Sequence, residues 1–394
     1  MTTRDAYDVI VVGAGPAGAI AAYELAKRSL RVALLEKQKL PRYKTCAGAV
    51  APHVAKLLDF PLDPVIERTV HKMRITVNGK RPFVREAERP FAHMVMRDRF
   101  DAYLVDVAAR AGVVVYQGAP LTGLEATSDG YVVRSPELEL ATRYLVGADG
   151  ANSVTRRLVG APRFRRVAVA LEWEITAPPE SLDEWRDTVA IDLGSVKSGY
   201  GWVFPKETTF SLGVMVPRSL AKQLKTYCAA TCELYRGAVG DAEPHIALGH
   251  HLPIRLPDEP IVFGRTLLVG DAAGLIDAVV GEGIYYAIQS GQLAAEAIAR
   301  AVAAGDAELA TYQRRIDEVI QPELQASKAF LYLLDLAPRW TVPLMLKPWR
   351  RFWRYFFGIF SGERRFREVP DRLGPLAGPF HAAFAGDDRP LYSW

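Results

Sequence analysis

The segment YDVIVVGAGPAGAIAAYELAKRSLRVALLEK, residues 7–37, decides the fold of this chain. It opens with Val9–Val12, a short β-branched run typical of a buried parallel strand. Three glycines follow as G-x-G-x-x-G, and an alanine-rich helical segment comes after them. A second apolar run, residues 32–35, leads directly to Glu36. This order of strand, glycine turn, helix, strand and acid predicts a nucleotide-binding βαβ unit.

The three glycines, Gly13, Gly15 and Gly18, each suit a different need of a diphosphate site. They permit a tight turn, a close backbone approach to the pyrophosphate, and close packing of helix on strand. The helix N-terminus adds unpaired N–H groups and a partial positive charge. Glu36 would accept hydrogen bonds from ribose hydroxyls and repel a 2′-phosphate. The segment therefore predicts a site for FAD or NAD(H), without distinguishing the two.

Two later segments favour FAD. In RYLVGADGANSVTRRLVG, residues 143–160, an apolar run enters a glycine turn that contains Asp149. In residues 264–291, GRTLLVGDAAGLIDAVVGEGIYYAIQSG, a strand reaches Asp271, and a helix follows Gly281 and Gly283. Asp271 suits a ribityl hydroxyl, and the N–H groups after Gly281 suit the flavin pyrimidine. The chain carries one nucleotide fingerprint, so we predict no separate NAD(P)H site.

The bulk composition limits the function classes. A length of 394 residues suits two domains, and a net charge of +4 is too weakly basic to indicate nucleic acid. Three cysteines, Cys46, Cys228 and Cys232, give neither a disulfide framework nor a metal-binding pattern. The N-terminus lacks the features of a signal peptide, and no apolar run reaches about 18 residues. We therefore expect a cytoplasmic protein without a metal site.

A second informative stretch is GYGWVFPK, residues 199–206, with rings at every second position. Side chains on a strand alternate between faces, so Tyr200, Trp202 and Phe204 should share one face of a sheet. Such a face suits either a protein core or a pocket for an apolar substrate. The stretch by itself favours the core.

Together these segments resemble the flavoprotein hydroxylase-like superfamily and, within it, the geranylgeranyl reductase family, over roughly residues 5–300. The narrower resemblance rests on PRYKTCAGAV (residues 41–50), YGWVFP (residues 200–205) and GEGIYYAIQSG (residues 281–291). MRDRFDAYL, residues 96–104, is similar to a further family motif. The resemblance implies an α+β fold with a Rossmann-type FAD-binding domain, an antiparallel-sheet substrate domain and a C-terminal helical region.

The implied domain organisation interleaves the two domains along the chain. The FAD-binding domain would comprise residues 1–75, 97–160 and 256–305. The substrate sheet would take residues 76–96 and 161–255, and a helical, basic-aromatic region would follow at residues 306–394.

The resemblance also implies site residues. Around FAD it places Gly13, Gly15, Ala17, Gly18, Glu36, Cys46, Ala47, Gly48, Arg97, Asp271, Gly281, Gly283 and Ile284. Around a prenyl substrate it places Tyr200, Trp202, Phe204, Pro205 and Gly213, so the aromatic face is now expected to line the substrate. Met215 stands where the family has a second glycine and should narrow or reshape the channel. Residues 277–280, DAVV, replace the usual N-P-hydrophobic-T before GEG.

The implied reaction is saturation of isolated carbon–carbon double bonds, with hydride from N5 of reduced FAD and a proton to the other carbon. Cys46 is the candidate catalytic residue, because a helix N-terminus or the nearby Arg42 and Lys44 would lower its pKa. Alternatively, Cys46 is a small residue that shapes the flavin loop. Either NAD(P)H or a ferredoxin-type protein would supply the electrons.

Two other functions stay open. One is a flavin monooxygenase or halogenase on the same scaffold. Halogenases carry W-x-W-x-I-P, whereas this chain has Tyr200 and Phe204 in place of the first tryptophan and the isoleucine. Hydroxylases usually have Ala-Ala-His after Gly-Asp, whereas in this chain Gly274 stands in place of the histidine. The other is a non-catalytic, lipid-binding flavoprotein.

The C-terminal region has its own composition. Residues 339–367 contain eight basic residues and one acidic residue, interleaved with tryptophan and phenylalanine. This pattern indicates helices that pack aromatics on the catalytic domain, contact with lipid headgroups at the inner face of a membrane, or both. The expected partners are therefore a polyprenyl lipid, an electron donor and a membrane surface, and not nucleic acid.

Overall fold

The protein is described from a computed structural model that covers residues 6–196, 199–241, 243–336 and 349–369. These residues form two compact units. The first unit comprises residues 6–43, 98–166 and 253–324, and the second comprises residues 44–97, 167–252 and 325–369. The domain boundaries drawn from the sequence stay predictions.

The described elements alternate along the chain between the two units. The strands are β1 Ala6–Val12, β2 Val32–Glu36, β3 Ala49–Val50, β4 Arg68–Val70, β5 Lys72–Val77, β6 Lys80–Glu86, β7 Ala92–Met94, β8 Val114–Gln117, β9 Gly123–Ala126, β10 Tyr131–Ser135, β11 Leu138–Gly147, β12 Val167–Thr176, β13 Thr188–Leu193, β14 Tyr200–Pro205, β15 Thr209–Pro217, β16 Ile246–Pro253, β17 Val262–Phe263 and β18 Thr266–Leu268. The helices are α1 Pro16–Ala26, α2 Arg97–Arg110, α3 Val154–Leu158, α4 Pro179–Glu184, α5 Leu224–Leu234, α6 Arg236–Val239, α7 Ile284–Ala304, α8 Ala310–Val319, α9 Gln321–Leu336 and α10 Arg350–Phe360.

The first unit is built on an eight-stranded sheet whose main path runs β17-β18-β11-β1-β2-β8, with β10 and β9 continuing from β11. Strand β1 pairs in parallel with β11 and β2, and β18 pairs in parallel with β11. Helices α1 and α7 pack so closely that a Cβ on Gly291 of α7 would lie only 2.5 Å from the carbonyl oxygen of Ala17 in α1. The small residues of both helices permit this approach.

The second unit contains a seven-stranded sheet of order β16-β12-β15-β14-β13-β5-β6 and a three-stranded sheet β3-β7-β4. From β12 to β6 the neighbouring strands of the larger sheet pair antiparallel, except β13, which pairs in parallel with β5. Helix α5 covers one face, where Phe210, Leu212, Val214 and Cys228 belong to the buried core. The opposite face carries Trp202. The predicted α+β architecture, with a Rossmann-type parallel sheet and an antiparallel sheet, is confirmed.

Helix α10 packs its aromatic side chains within the second unit. Trp353 and Phe357 are buried, and the ring centroids of Phe91 and Phe357 lie 4.9 Å apart. Arg350 and Arg351 are exposed. The basic-aromatic segment therefore packs as one of its two interpretations predicts. Its residues 339–348 lie outside the described residues, as do the last residues, 370–394. Among the described helices, none combines the length and apolarity that crossing a membrane requires.

Candidate functional site

In the first unit, the predicted FAD residues gather at one edge of the parallel sheet. Strands β1, β2, β11 and β18 run in parallel, so their carboxyl ends share this edge. The glycine motif follows β1, Glu36 ends β2, and Asp271 lies just beyond β18. Ligands of open α/β sheets bind beyond the carboxyl ends of the strands. The topology therefore brings together residues that are more than 230 positions apart in sequence.

The three motif glycines have three different surroundings. Gly13 has a φ of +102°, and a Cβ there would lie 2.4 Å from the carbonyl oxygen of Ala148. A Cβ on Gly18 would lie 1.9 Å from the carbonyl oxygen of Gly13. A Cβ on Gly15 would meet no atom of the described residues within 4 Å. Gly13 and Gly18 thus permit the turn and its packing, whereas Gly15 leaves open space at the N-terminus of α1.

Glu36 lies beneath the glycine turn and is 3% exposed. Its Oε2 accepts a hydrogen bond from the backbone N–H of Ala14 at 3.0 Å, and its Oε1 accepts one from Gln38 at 3.1 Å. Arg42 lies 3.4 Å from the same Oε2 and donates to Asp101 at 2.7 Å. The carboxylate is held in place, and Oε1, which accepts the one hydrogen bond from Gln38, retains a lone pair for a ribose hydroxyl.

Arg42 is a residue whose place the sequence did not predict. The sequence suggested that Arg42 and Lys44 act on Cys46, but Arg42 pairs with Glu36 and Asp101 inside the first unit. Lys44 Nζ lies 3.0 Å from Nε2 of His250. The suggestion that Arg42 acts on Cys46 rested on their proximity in sequence. Such proximity does not predict which carboxylates an arginine contacts in the folded protein.

The residues around Asp271 complete this edge. Gly283 precedes α7, and a Cβ on it would lie 3.6 Å from Oδ1 of Asp271. Gly281 has a φ of +68°, which favours glycine, and Ile284 begins the helix. Ala17 lies close to Gly270, the residue before Asp271: a Cβ on Gly270 would be 3.0 Å from the Cβ of Ala17. The predicted residues Ala17, Asp271, Gly283 and Ile284 therefore lie with the N-terminal parts of α1 and α7.

The turn before α7 departs from the family sequence and is organised by Asp277. Its Oδ1 accepts hydrogen bonds from the N–H groups of Val279 and Val280, both at 2.8 Å. Its backbone N–H donates to the carbonyl of Glu282 at 2.9 Å. Burial, reinforced by the charges of Asp277 and Glu323, raises the pKa of Glu282 to about 8. These hydrogen bonds of Asp277 fix the turn.

These features fit a flavin dinucleotide. Gly15 leaves the space that a pyrophosphate would occupy at the helix N-terminus, where N–H groups and the helix dipole favour anions. Gly15 and Gly283 have no side chain that could cap the N–H groups of α1 and α7, so a ligand could accept hydrogen bonds from those groups. Glu36 and Asp271 supply acceptors for hydroxyl groups.

In the second unit, the three rings of the aromatic stretch lie on one face of the sheet, as their spacing predicts. The centroids of Tyr200 and Trp202 lie 6.0 Å apart, and those of Trp202 and Phe204 lie 6.5 Å apart. Trp202 is 4% exposed, while Tyr200 and Phe204 are half-buried. Met215 packs in the same cluster and pairs with Tyr200 across the strands. Pro205 ends β14.

Gly213 leaves the space that the indole of Trp202 occupies. It pairs with Trp202 across β14 and β15, and a Cβ on it would lie 2.3 Å from Cζ2 of Trp202. It would also lie 2.6 Å from the carbonyl oxygen of Leu171. The Trp202 Nε1–H donates to Oγ of Ser211 at 3.3 Å. The family glycine at this position therefore determines where the indole lies, within the second unit itself.

Cys46, Ala47 and Gly48, called the Cys46 loop below, contact this same unit. The backbone N–H of Cys46 donates to Oε1 of Glu172 at 3.3 Å, and Gly48 accepts from Val95 at 2.9 Å. Lys206 donates to the carbonyl of Ala47. The sequence did not predict a role for either Glu172 or Lys206.

Arg97, the remaining predicted FAD residue, is buried at the start of α2, and its charge contributes to lowering the pKa of Lys206.

A cavity of about 300 Å³ lies on the other face of the larger sheet. Asp192 lines it together with Tyr227, Thr231 and Leu234 of α5. Oδ1 of Asp192 accepts hydrogen bonds from Thr76 and from the backbone of Gly79. None of the predicted substrate residues lines this cavity, so it is separate from the aromatic face.

Comparison with known proteins identifies the family. Residues 6–226 match the protein family described as FAD binding domain. The chain is 34% identical over 302 residues to a geranylgeranyl diphosphate reductase of Rhodobacter capsulatus, covering 74% of each chain. It is 31% identical over 332 residues to a digeranylgeranylglycerophospholipid reductase of Methanocaldococcus jannaschii, covering 80% of this chain and 83% of that protein.

Solved structures show the same fold. A geranylgeranyl bacteriochlorophyll reductase-like protein from Thermoplasma acidophilum superimposes with a TM-score of 0.76 at 24% identity, covering 98% of both chains. The flavin-dependent brominase Bmp2 gives a TM-score of 0.72 at 21% identity, covering 94% of this chain and 99% of that one. The fold is thus shared with a halogenase, while the two sequence relatives given above are named reductases. The chain belongs to the geranylgeranyl reductase family of FAD-dependent oxidoreductases.

Proposed function

We propose that this protein saturates isolated carbon–carbon double bonds of a geranylgeranyl or longer polyprenyl chain, carried by a diphosphate, a glycerolipid or a quinone. The observation that carries the proposal is the aromatic face of Tyr200, Trp202 and Phe204 on the same unit as the Cys46 loop, in a chain with several relatives that are named geranylgeranyl reductases. When bound, reduced FAD supplies the hydride for one alkene carbon. The protein has to bind the substrate, orient its double bond and protonate the other alkene carbon.

The first unit would bind the dinucleotide. Gly15 and the N–H groups that open α1 would hold the pyrophosphate, and Glu36 would accept from a ribose hydroxyl. Asp271, beside Gly283, would accept from the ribityl chain. Cys46, Ala47, Gly48 and Arg97 stay predicted FAD contacts from the second unit.

The aromatic face would bind the prenyl chain. An unactivated alkene has no charged group to stabilise, so alignment should dominate the contribution of the protein. Half-buried Tyr200 and Phe204 offer apolar surface that a polyprenyl chain would bury. Trp202 is held by Gly213 and Ser211, which would fix the floor of the site. Met215, beside Tyr200, would limit its width.

Cys46 would supply the proton for the second alkene carbon. It is the candidate because it is half-buried and its thiol accepts from the N–H of Gly48 at 3.4 Å, which fixes its direction. Cys46→Ser should slow single-turnover reduction at least tenfold while FAD stays bound. An unchanged rate would show that Cys46 only shapes the loop.

The function is tested with dithionite-reduced protein under anaerobic conditions. We would incubate it separately with geranylgeranyl diphosphate, an unsaturated archaeal-type glycerophospholipid and menaquinone, and measure products by mass. A gain of two hydrogens per double bond supports the proposal and identifies the head group. Hydroxylated or halogenated products formed only with oxygen would instead identify a monooxygenase or halogenase. The rates at which NAD(P)H and reduced ferredoxin each reduce the oxidised flavin would distinguish the two candidate electron donors.

We propose in addition that the exposed face of α10 contacts lipid headgroups. Arg350 and Arg351 are exposed there, and Trp349, just before the helix, is 48% exposed. Basic residues with tryptophan suit an anionic membrane surface. The protein should float with vesicles containing anionic lipid and not with neutral vesicles, and Arg350→Glu with Arg351→Glu should abolish flotation. Equal flotation with both vesicle types would contradict this contact.

A further inference from the structure

Lys206 is a buried lysine without a role in the proposed chemistry. It follows Pro205 at the end of β14 and is 1% exposed. Its Nζ donates to the carbonyl oxygen of Val95 at 3.0 Å and to that of Ala47. Both acceptors are main-chain carbonyls rather than carboxylates. Lysine is almost never fully buried unless it is paired, so this arrangement requires a reason.

The surroundings of the amine confirm that it is desolvated. Burial lowers the pKa of Lys206, while the charges of Glu174 and Glu172 act in the opposite direction. Glu172 and Glu174 are themselves buried on β12. A buried cation is tolerated where its donors find acceptors, and here the carbonyls of two separate segments accept two of the three N–H groups. The amine therefore links the Cys46 loop to the segment that follows β7.

The loop is shaped to fit against this amine. Gly48 has a φ of +69°, in the left-handed region that favours glycine. A Cβ on Gly48 would lie 2.2 Å from Nζ of Lys206 and 2.1 Å from the carbonyl oxygen of Val95. On its other side the loop donates from Cys46 to Glu172. Three separate parts of the second unit thus fix three consecutive residues.

We propose that Lys206 is a positioning residue that sets the direction of the Cys46 loop, and through it the thiol of Cys46. The proposal rests on the proposed function for its catalytic consequence, but not for the geometry. Replacing the amine with an apolar side chain leaves the carbonyls of Ala47 and Val95 without their buried donor. The loop should then move toward other donors and carry Cys46 with it.

The experiment compares Lys206→Met with Lys80→Met, which makes the same change at an exposed lysine of the same sheet. Two rates are measured on FAD-loaded protein. One is alkylation of Cys46 by iodoacetamide, read by peptide mass spectrometry so that Cys228 and Cys232 are separated. The other is single-turnover reduction of a prenyl substrate over a range of substrate concentrations.

We expect Lys206→Met to alkylate at Cys46 at least fivefold faster, and to reduce substrate at least tenfold more slowly at saturation, with little change in the half-saturating concentration. Lys80→Met should stay within twofold of wild type in both rates. Lys206→Gln, which keeps one shorter donor, should fall between wild type and Lys206→Met. A role limited to stability would lower the melting temperature without this pattern.

The outcomes separate the two claims. If the wild type reduces no prenyl substrate, the proposed function fails, and the alkylation rates still test the positioning. If Lys206→Met is folded and its Cys46 alkylates at the wild-type rate, the positioning proposal is overturned. It is also overturned if neither Lys206 variant folds with FAD, because the lysine then supports the whole unit rather than the loop.

Discussion

Gly213→Ala tests whether the indole position matters for catalysis. The added Cβ would lie 2.3 Å from Cζ2 and 2.7 Å from Cη2 of Trp202. Carbon atoms in contact lie about 3.5–4.0 Å apart, so the indole edge would have to move by about 1 Å. The backbone oxygen of Leu171, at 2.6 Å, blocks relief in the other direction, because it belongs to the paired strand β12.

The stability cost follows from this overlap. Forcing an extra methyl group into a packed site costs about 1–3 kcal/mol. The matched control is Gly237→Ala in α6, where a Cβ would meet no atom of the described residues within 4 Å. That change should be neutral or stabilise by up to about 1 kcal/mol. Urea denaturation of the two variants measures the difference.

The displaced indole should also slow catalysis. A misplacement of about 1 Å near a reacting group can slow a reaction roughly 100-fold. We expect single-turnover reduction by Gly213→Ala to slow at least tenfold, with Gly237→Ala unchanged. In a Trp202→Phe background the alanine at 213 should cost less, because the atoms it overlaps are gone. Equal stability and equal rates in the two glycine variants would refute this reasoning.

Two further predictions concern the first unit. Gly18→Ala should destabilise the protein without FAD by about 3 kcal/mol, because its Cβ would overlap the carbonyl oxygen of Gly13. Gly15→Ala should leave the stability without FAD unchanged, because Gly15 has a φ of −80° and open space around the added Cβ, yet it should weaken FAD binding at least tenfold. Thermal melting and FAD titration measure the two effects. A destabilised Gly15→Ala that binds FAD normally would contradict the assignment of Gly15 to the pyrophosphate. The pKa of Glu282, raised from 4.5 to about 8, means that the folded state holds its proton more tightly than the unfolded state, so wild type loses stability as pH rises between these values. Relative to wild type, Glu282→Gln should therefore gain roughly 2–4 kcal/mol between pH 5 and pH 9, and parallel stability profiles would contradict this.

The local features of the fold could be predicted from the sequence. The glycine motif and its flanking strands are set by short-range chemistry: a turn that only glycine permits and apolar runs that only a buried strand explains. The shared face of Tyr200, Trp202 and Phe204 follows from the period of a strand. Each of these rests on residues within about thirty positions of one another.

The contacts that position the site could not be predicted in the same way. Lys206 reads as an ordinary exposed residue after a strand, and its burial depends on the carbonyls of Ala47 and Val95, more than a hundred positions away. Arg42 lies only four positions before Cys46 in sequence but pairs with Asp101. Glu172 and Glu174 lie on one face of β12 and are both buried. Their spacing in the sequence indicates two carboxylates on one face of a strand, but it does not predict which residues contact them.

The most direct test mixes dithionite-reduced protein with geranylgeranyl diphosphate in a stopped-flow instrument without oxygen, and follows the absorbance of oxidised flavin. We predict that the absorbance returns at a rate that saturates with the prenyl substrate. Recovery should not occur with the fully saturated phytanyl analogue, which offers no double bond. Flavin that stays reduced with every unsaturated prenyl compound, and is reoxidised only when oxygen is admitted, would contradict the account.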